Sequence, residues 1–578
     1  MLRRLAGQFS LSLAALGVCT AGVTTALAQV RPNAGTLLDP QSPVPAIKPP
    51  GTPRLVLPDA KPAAAGDATV RITPSAFRFT GNSLFSSEQL SVLLSKLVNQ
   101  PTDLAGLTAA ASTVATYYRS QGYLLTEAYL PEQAFAATGG TVTIRVIEAK
   151  IGRASVEIEG DGKGISRAYV DELLASHLKK GDPVTEYALD KPVLLLRDLA
   201  GFDATAIVEP GAETGEANVR VAVKSRGRYA DGSVSLDNHG ASAAGAVRAI
   251  ANVNLNNLLG RGDALSASGQ ISDQPGSNLF RLGYNLPVGG WGTRLGVSAA
   301  RLNYALGKQF AVLKASGSAD VLGLSLSQPL LRGRDASLYA QASVDEKHLL
   351  DQTANPVLES KRVISSTRFG LAGNFIDNLA GTTALNAFAI NTTLGQLKLG
   401  LADQALDEGL GGLQTAGLYR KFNFEYQRTQ YLSSAASLHV TLQTQLASKN
   451  LNSAEKMALG GPNGVRAYPV GEGIGDSGTM FSLEYRYQLP PNLSVSSEPV
   501  SLLTFYDYGH IRLNQNGAVV PGAVNSATLG AVGVGATLGR AGNFLIKTHL
   551  AWRTTGVPPS TGDADNSPRA WLSAQAWF

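Results

Sequence analysis

From about Gly227 to Phe578 apolar residues recur at every second position, a period that lays them along one side of a pleated strand and that no helix gathers on one face. Val247, Ala249, Ala251, Val253 and Leu255 alternate with Arg248, Asn252, Asn254 and Asn256, and Phe422, Phe424 and Tyr426 with Asn423, Glu425 and Gln427. Leu438, Val440, Leu442 and Leu446 oppose His439, Thr441, Gln443 and Gln445; Phe481, Leu483, Tyr485 and Tyr487 oppose Ser482, Glu484, Arg486 and Gln488. The pattern predicts an all-β half without helices. Alternation does not say what the apolar side touches: a dry core in a soluble sandwich, or lipid in a membrane barrel whose polar side lines a wet lumen.

Turn lengths and strand count favour the barrel. Gly333-Arg334-Asp335 and Ala541-Gly542-Asn543 are tight, whereas 396–416, 450–478 and 557–568 are long, and short turns on one rim with long loops on the other mark outer-membrane barrels. Sixteen candidate antiparallel strands fit between residues 227 and 578, an even number that returns the chain to its starting rim and leaves room for an aqueous channel. The last strand, Leu572, Ala574, Ala576 and Phe578 in alternation, ends on an aromatic that resembles the insertion signal of outer-membrane barrels. That resemblance implies Phe578 as a tag read by barrel-assembly machinery and outer-membrane lipid as the surroundings.

At the amino terminus, Arg3 and Arg4 precede an apolar stretch from Leu11 to Val23 and the small-x-small site Ala26-Leu27-Ala28, so residues 1–28 read as an export signal. The stretch is too short for an anchor, and Val18 before Cys19 is too bulky for a lipoprotein site. Cys19 is the single cysteine, so the exported chain is expected to lack disulfides, zinc–thiolate sites and thiol catalysis. Residues 29–71 carry Pro32, Pro40, Pro43, Pro45, Pro49, Pro50, Pro53, Pro58 and Pro62 and read as an extended periplasmic linker that cannot hold a helix. A net charge of +5 is too diffuse for a nucleic-acid partner. The six histidines show no ligand spacing, and neither metal nor cofactor is expected. Gly473 to Gly478 spells G-x-G-x-x-G but precedes a strand, and Arg261-Gly262-Asp263 falls in a periplasmic turn; both read as turn chemistry.

Between linker and barrel the period is helical. A strand at Phe77-Arg78-Phe79 precedes a helix opened by the capping box Ser86 and Gln89, a second helix runs from near Asp103 to Gly122, and strands follow at 124–130 and 141–148. The β-α-α-β-β order then recurs: strand 154–159, helices 166–178 and 190–200, strands 204–209 and 217–224, with Pro192 read into the first turn of its helix behind Asp190. This order, with Phe79-Thr80-Gly81-Asn82, Leu130-Pro131-Glu132-Gln133 and Asp198-Leu199-Ala200-Gly201-Phe202, resembles paired POTRA domains, expected at 72–150 and 151–226. A small sheet backed by two helices leaves an edge at which an unfolded chain can add as a strand, with Phe79, Leu130 and Phe202 as candidate partner-binding residues; rigid spacers are the alternative reading.

The barrel, expected at 227–578, carries more specific likenesses. Gly232 to Asn238, Asn257 to Asp263 and Tyr284 to Gly289 resemble the opening barrel strands of the TpsB transporters of two-partner secretion. Val465-Arg466-Ala467-Tyr468, in the longest Gly-rich loop, is similar to that family's VRGY signature of loop six, and Phe505-Tyr506-Asp507-Tyr508-Gly509 to its Phe-x-Asp-x-Gly signature. Asp507 shares parity with Phe505 and Gly509, so with Tyr506 and Tyr508 facing lipid its carboxylate points into the lumen, where Arg466 offers a bidentate guanidinium. Their contact would pin the loop inside the pore. Ala467 stands where the family has Gly, which puts the tightness of that turn in question, and the linker lacks the Gln/Arg-rich plug helix of some relatives. The resemblance implies a non-enzymatic pore that captures an unfolded TpsA-like exoprotein of haemolysin, haemagglutinin or adhesin type on its POTRA domains and secretes it without ATP. A passive porin, a barrel-assembly factor and a barrel enzyme are the rivals.

Overall fold

The computed structural model describes residues 31–38, 51, 53–57, 71–133, 140–159, 164–227, 229–273, 276–493, 498–517, 523–555, 559 and 567–578. The export signal lies outside these residues, as does most of the loop expected at 557–568. The proline-rich segment departs from expectation twice. A one-turn helix, α1 (Ala34–Leu37), forms because Asn33 and Thr36 close a capping box around its first turn, and a strand, β1 (Arg54–Val56), pairs in parallel with a strand far along the chain. Proline excludes long helices, but 33–38 contains none.

The first α/β unit comprises β2 (Ala76–Thr80), α2 (Ser87–Leu93), α3 (Leu104–Ser120), β3 (Glu127–Tyr129) and β4 (Thr141–Ile147), with sheet order β2-β4-β3. The Ser86–Gln89 box and Asp103 cap the two helices, and Leu90, Leu94, Leu107, Val114 and Tyr118 bury their shared face. The second unit comprises β5 (Lys150–Glu159), α4 (Arg167–His177), α5 (Glu186–Arg197), β6 (Phe202–Pro210) and β7 (Glu216–Ser225). Its sheet runs β1-β6-β7-β5, so the linker strand covers the edge of β6. Helix α5 starts at Glu186 behind the Thr185 cap, not near Asp190, which places Pro192 in its interior. An interior proline costs a helix about 3 kcal/mol; burial of Leu189, Val193, Leu194, Leu195 and Leu196 offsets it.

The remainder is a closed barrel of sixteen antiparallel strands among the described residues. They are β8 (Ala230–Asp237), β9 (Arg248–Asn256), β10 (Ala264–Ser272), β11 (Gly276–Val288), β12 (Thr293–Ala305), β13 (Ser316–Arg332), β14 (Ala336–Ala354), β15 (Val357–Asp377), β16 (Ala384–Leu399), β17 (Gly417–Tyr431) and β18 (Ala436–Ala447), followed, after a small hairpin of β19 (Met457–Ala458) and β20 (Ile474–Gly475), by β21 (Ser477–Gln488), β22 (Val500–Arg512), β23 (Ser526–Gly539), β24 (Phe544–Arg553) and β25 (Arg569–Trp577). Closure pairs β25 with β8, and Phe578 completes the seam by exchanging backbone hydrogen bonds with Gly232, both at 3.1 Å. One α-helix, α6 (Leu401–Glu408), and several short 3-10 helices among the described residues interrupt the half expected to be helix-free; α6 sits in a long loop that strand periodicity does not govern.

The barrel is inside-out relative to a soluble protein. On β13, Leu322, Leu324 and Leu326 are 66, 55 and 41% exposed while Ser325 and Ser327 are 6 and 5% exposed. Only a wall that faces lipid outward and packs polar contents inward has a reason to do this. No helix among the described residues is long and apolar enough to cross a membrane.

The second unit sits against the short-turn rim. The Asp198 carboxylate accepts both arms of the Arg332 guanidinium at 2.8 and 2.9 Å, Asp190 accepts Arg334 at 2.5 and 3.0 Å, and the Ser166 amide donates to the Gly260 carbonyl at 2.6 Å. Gly262 abuts Leu199, where a Cβ would come within 2.5 Å. In the same turn Asp263 is fully buried and accepts from the Leu259 amide and the Tyr284 hydroxyl, so Arg261-Gly262-Asp263 is part of this joint.

Candidate functional site

The sixth long-loop connection, between β18 and β21, folds back into the barrel. Glycines make the fold-back possible: at Gly464 a Cβ would meet the Leu459 carbonyl oxygen at 2.0 Å. The Val465 amide donates to the Leu459 carbonyl and the Tyr468 amide to the Val465 carbonyl, closing a tight turn over 465–468. Ala467 is accommodated, because its backbone lies outside the left-handed region and its methyl packs in a cluster with Leu459, Val465, Tyr468 and Phe505.

Arg466 and Asp507, 41 residues apart, meet on the lumen side of β22. Arg466 donates from Nε to Asp507 Oδ2 at 2.8 Å, from Nη2 to Oδ1 at 2.7 Å and from its backbone amide to Oδ2 at 3.1 Å. Arg466 is 4% exposed and Asp507 0%. Tyr506 and Tyr508, of opposite parity, are exposed on the outer face. Each member of the Phe-x-Asp-x-Gly run has a physical part. The Phe505 ring lies under the guanidinium, 3.4 Å from centroid to Cζ, Asp507 supplies charge, and Gly509 leaves space: a Cβ there would press on Leu459 of the loop at 2.9 Å.

Several partners escaped the sequence reading. Arg466 Nη1 donates to Glu484 Oε1 at 2.7 Å and Nη2 to Ser482 Oγ at 3.1 Å. Arg486 in turn donates to Glu484 at 2.5 and 2.9 Å, so two cations and two carboxylates balance. Trp571 Nε1 donates to the Arg466 carbonyl at 2.7 Å, and the Tyr468 hydroxyl lies 2.7 Å from Thr555 Oγ1. The polar parity of Ser482, Glu484 and Arg486 was legible; their meeting with Arg466 depends on register, Ser482 standing opposite Asp507 and Glu484 opposite Phe505.

The three candidate partner-binding residues are not brought together. Phe79 and Phe202 are 6 and 3% exposed and belong to the cores of their respective units, so neither side chain is presented to a partner; an aromatic in a short strand of a small unit serves the core first. Leu130 is half-buried against the first unit's core. Phe578 is exposed at the end of the closing strand.

Residues 215–536 match the family model for the haemolysin secretion/activation protein ShlB/FhaC/HecB, and residues 72–149 the model for the ShlB-type POTRA domain. The chain is 28% identical over 491 residues to the heme/hemopexin transporter protein HuxB of Haemophilus influenzae strain 86-028NP, covering 84% of this chain and 83% of that protein. It is 21% identical over 421 residues, 71% of each chain, to the outer membrane transporter CdiB of Dickeya dadantii. The fold is shared with CdiB from Escherichia coli, at a TM-score of 0.69 and 19% identity over 91% of this chain and 94% of that one. With the barrel, the α/β units and both matches in agreement, the chain belongs to the ShlB/FhaC/HecB family of haemolysin secretion/activation proteins.

Proposed function

We propose that this protein is the outer-membrane pore of a two-partner secretion pair: it takes an unfolded exoprotein of TpsA type from the periplasm, receives it on the α/β units at 72–150 and 151–226, and passes it through the barrel when loop six leaves the lumen. The buried Arg466–Asp507 contact carries this reading, because a passive porin has no use for an ion pair that ties a Gly-rich loop across its own channel. Two soluble units on the entry rim support it further, since a small-molecule channel needs no periplasmic receptor. The relatives are named as transporters, and folding of the cargo outside supplies the driving force. Recognition is by backbone addition at a sheet edge and not by Phe79 or Phe202. The β6 edge is held by the chain's own β1, and this pairing of an extended segment with a sheet edge supports the reading.

A null strain is expected to lose one large exported protein from the medium, regained on complementation with the full chain. Arg466→Ala is expected to cut that export at least about tenfold while the barrel still inserts, since removing one member of a buried pair costs about 3–5 kcal/mol. A null strain with an unchanged exoproteome overturns the transporter reading; unchanged export by Arg466→Ala overturns the loop-six anchor.

A further inference from the structure

We propose that Glu455 is a second positioning residue for pore closure, clipping the base of loop six to β14 and β17 and carrying the amino-terminal segment 31–38 with it. The proposal rests on the reading of loop six as the closing element. Glu455 ends a one-turn 3-10 helix, Ser453–Glu455, whose first turn is capped by Asn452. Its side chain is 1% exposed, with Oε1 2.6 Å from Lys347 Nζ and Oε2 2.8 Å from Lys421 Nζ. Its backbone carbonyl accepts from Lys421 Nζ at 3.2 Å and from Gln445 Nε2 at 3.0 Å. The two lysines are on strands separated by β15 and β16, so one carboxylate holds together parts of the wall that do not touch each other.

The polarity is the reverse of that at the tip. At Arg466 the loop supplies the cation and the wall the carboxylates; at Glu455 the loop supplies the carboxylate and the wall the cations. Without the Glu455 carboxylate, the two wall ammonium groups lose the anion that both of them hold, and the loop base loses both of its ionic contacts to the wall.

The amino-terminal segment is built onto the same turn. Ser453 Oγ donates to Asn33 Oδ1 at 2.8 Å, and Gly35 lies so close that a Cβ would reach Ser453 Oγ at 2.5 Å and the Ala454 amide nitrogen at 2.6 Å. The Ala34 amide donates to Asp351 of β14 at 2.8 Å, and Asp351 also binds Tyr304 and Arg362. Segment, turn and wall thus form one packed body on the β12–β17 side.

The test is the open fraction of the full chain in planar lipid bilayers, with heat-modifiable migration as the check on barrel folding. Glu455→Gln and the double variant Lys347→Gln/Lys421→Gln are each expected to raise the open fraction roughly tenfold or more, and the triple variant no further than either, because all three break one clip. Gly35→Val, which wedges the segment off Ser453, is expected to raise it as well. Folded variants that open no more than the unaltered chain, or a triple variant whose effect is the product of the other two, overturn the clip; a silent Gly35→Val overturns the coupling to segment 31–38. If Glu455→Gln does not insert, the lysine double variant gives the same reading from the wall side. Conductance requires no exported partner, so failure of the clip registers apart from failure of the transporter reading, which is judged on the exoproteome.

Discussion

Arg466 is tolerable at 4% exposure because its guanidinium meets two carboxylates, a hydroxyl and an aromatic face at once, so its desolvation is matched by directed contacts. The inward aim of Asp507 could be read from sequence because Tyr506 and Tyr508 flank it on the opposite parity, and a strand permits no other choice. The harmlessness of Ala467 could not, since it depends on one backbone angle. Outside the membrane the most telling single residue is Glu148, which follows β4. Burial works to raise its pKa, but the Ser83 hydroxyl, the Leu84 amide, the Tyr118 hydroxyl and the Ser83 amide outweigh burial and hold it below the usual carboxylate range. Between that lowered value and about 4.3 the unfolded chain binds more protons than the folded one. The stabilisation is therefore complete above about pH 4.3 and lost as pH falls through the folded value. Glu148→Gln is expected to cost the first unit about 2 kcal/mol at neutral pH and to flatten its acid sensitivity, measured by amide exchange along α3 in the full chain. Parallel pH profiles for the two proteins would refute this.

Among elements, the barrel strands were the most legible, because inward and outward positions differ chemically over the length of a strand and the period of two is a property of the pleat itself. Helix α6 and the start of α5 were not. The first lies in a loop where no periodicity applies, and the second is set by Thr185, five residues before the Asp190 behind which the sequence alone places Pro192 in the first turn. In the proline-rich segment the extended reading fits β1, but its pairing was not legible: three residues between prolines pair in parallel with Thr205, Ala206 and Ile207, a partnership supplied by an otherwise open edge. Leu55→Pro removes the central amide of this strand and is expected to raise amide exchange at 205–207 by about tenfold or more while exchange in β7 stays slow. Unchanged protection at 205–207 would mean that the edge does not depend on β1.

In the molecule as a whole, the joint between second unit and barrel sets how the two folded parts sit against each other. Arg332 and Asp198 are 3 and 8% exposed in their side chains, buried between two folded parts. Asp198→Ala leaves that guanidinium buried without its carboxylate and is expected to weaken the joint by about 3–5 kcal/mol. Spin labels on α4 and on the short-turn rim should then give a broadened distance distribution in bilayers; a distribution as narrow as that of the unaltered chain would show that the remaining contacts suffice. By itself the sequence determined the strand parity, the inward aim of Asp507 and the two α/β units, because each is written in short-range periodicity; the barrel rested on turn lengths and strand count, and the Arg466–Asp507 contact on the likeness of two motifs to a family. Only the tertiary structure decided that Glu484 shares Arg466, that Glu455 lies between Lys347 and Lys421, and that Asn33 meets Ser453 across 420 residues. Contacts across a lumen depend on how many strands close, how far each is staggered and how a loop folds back, and none of these is a local property of the chain.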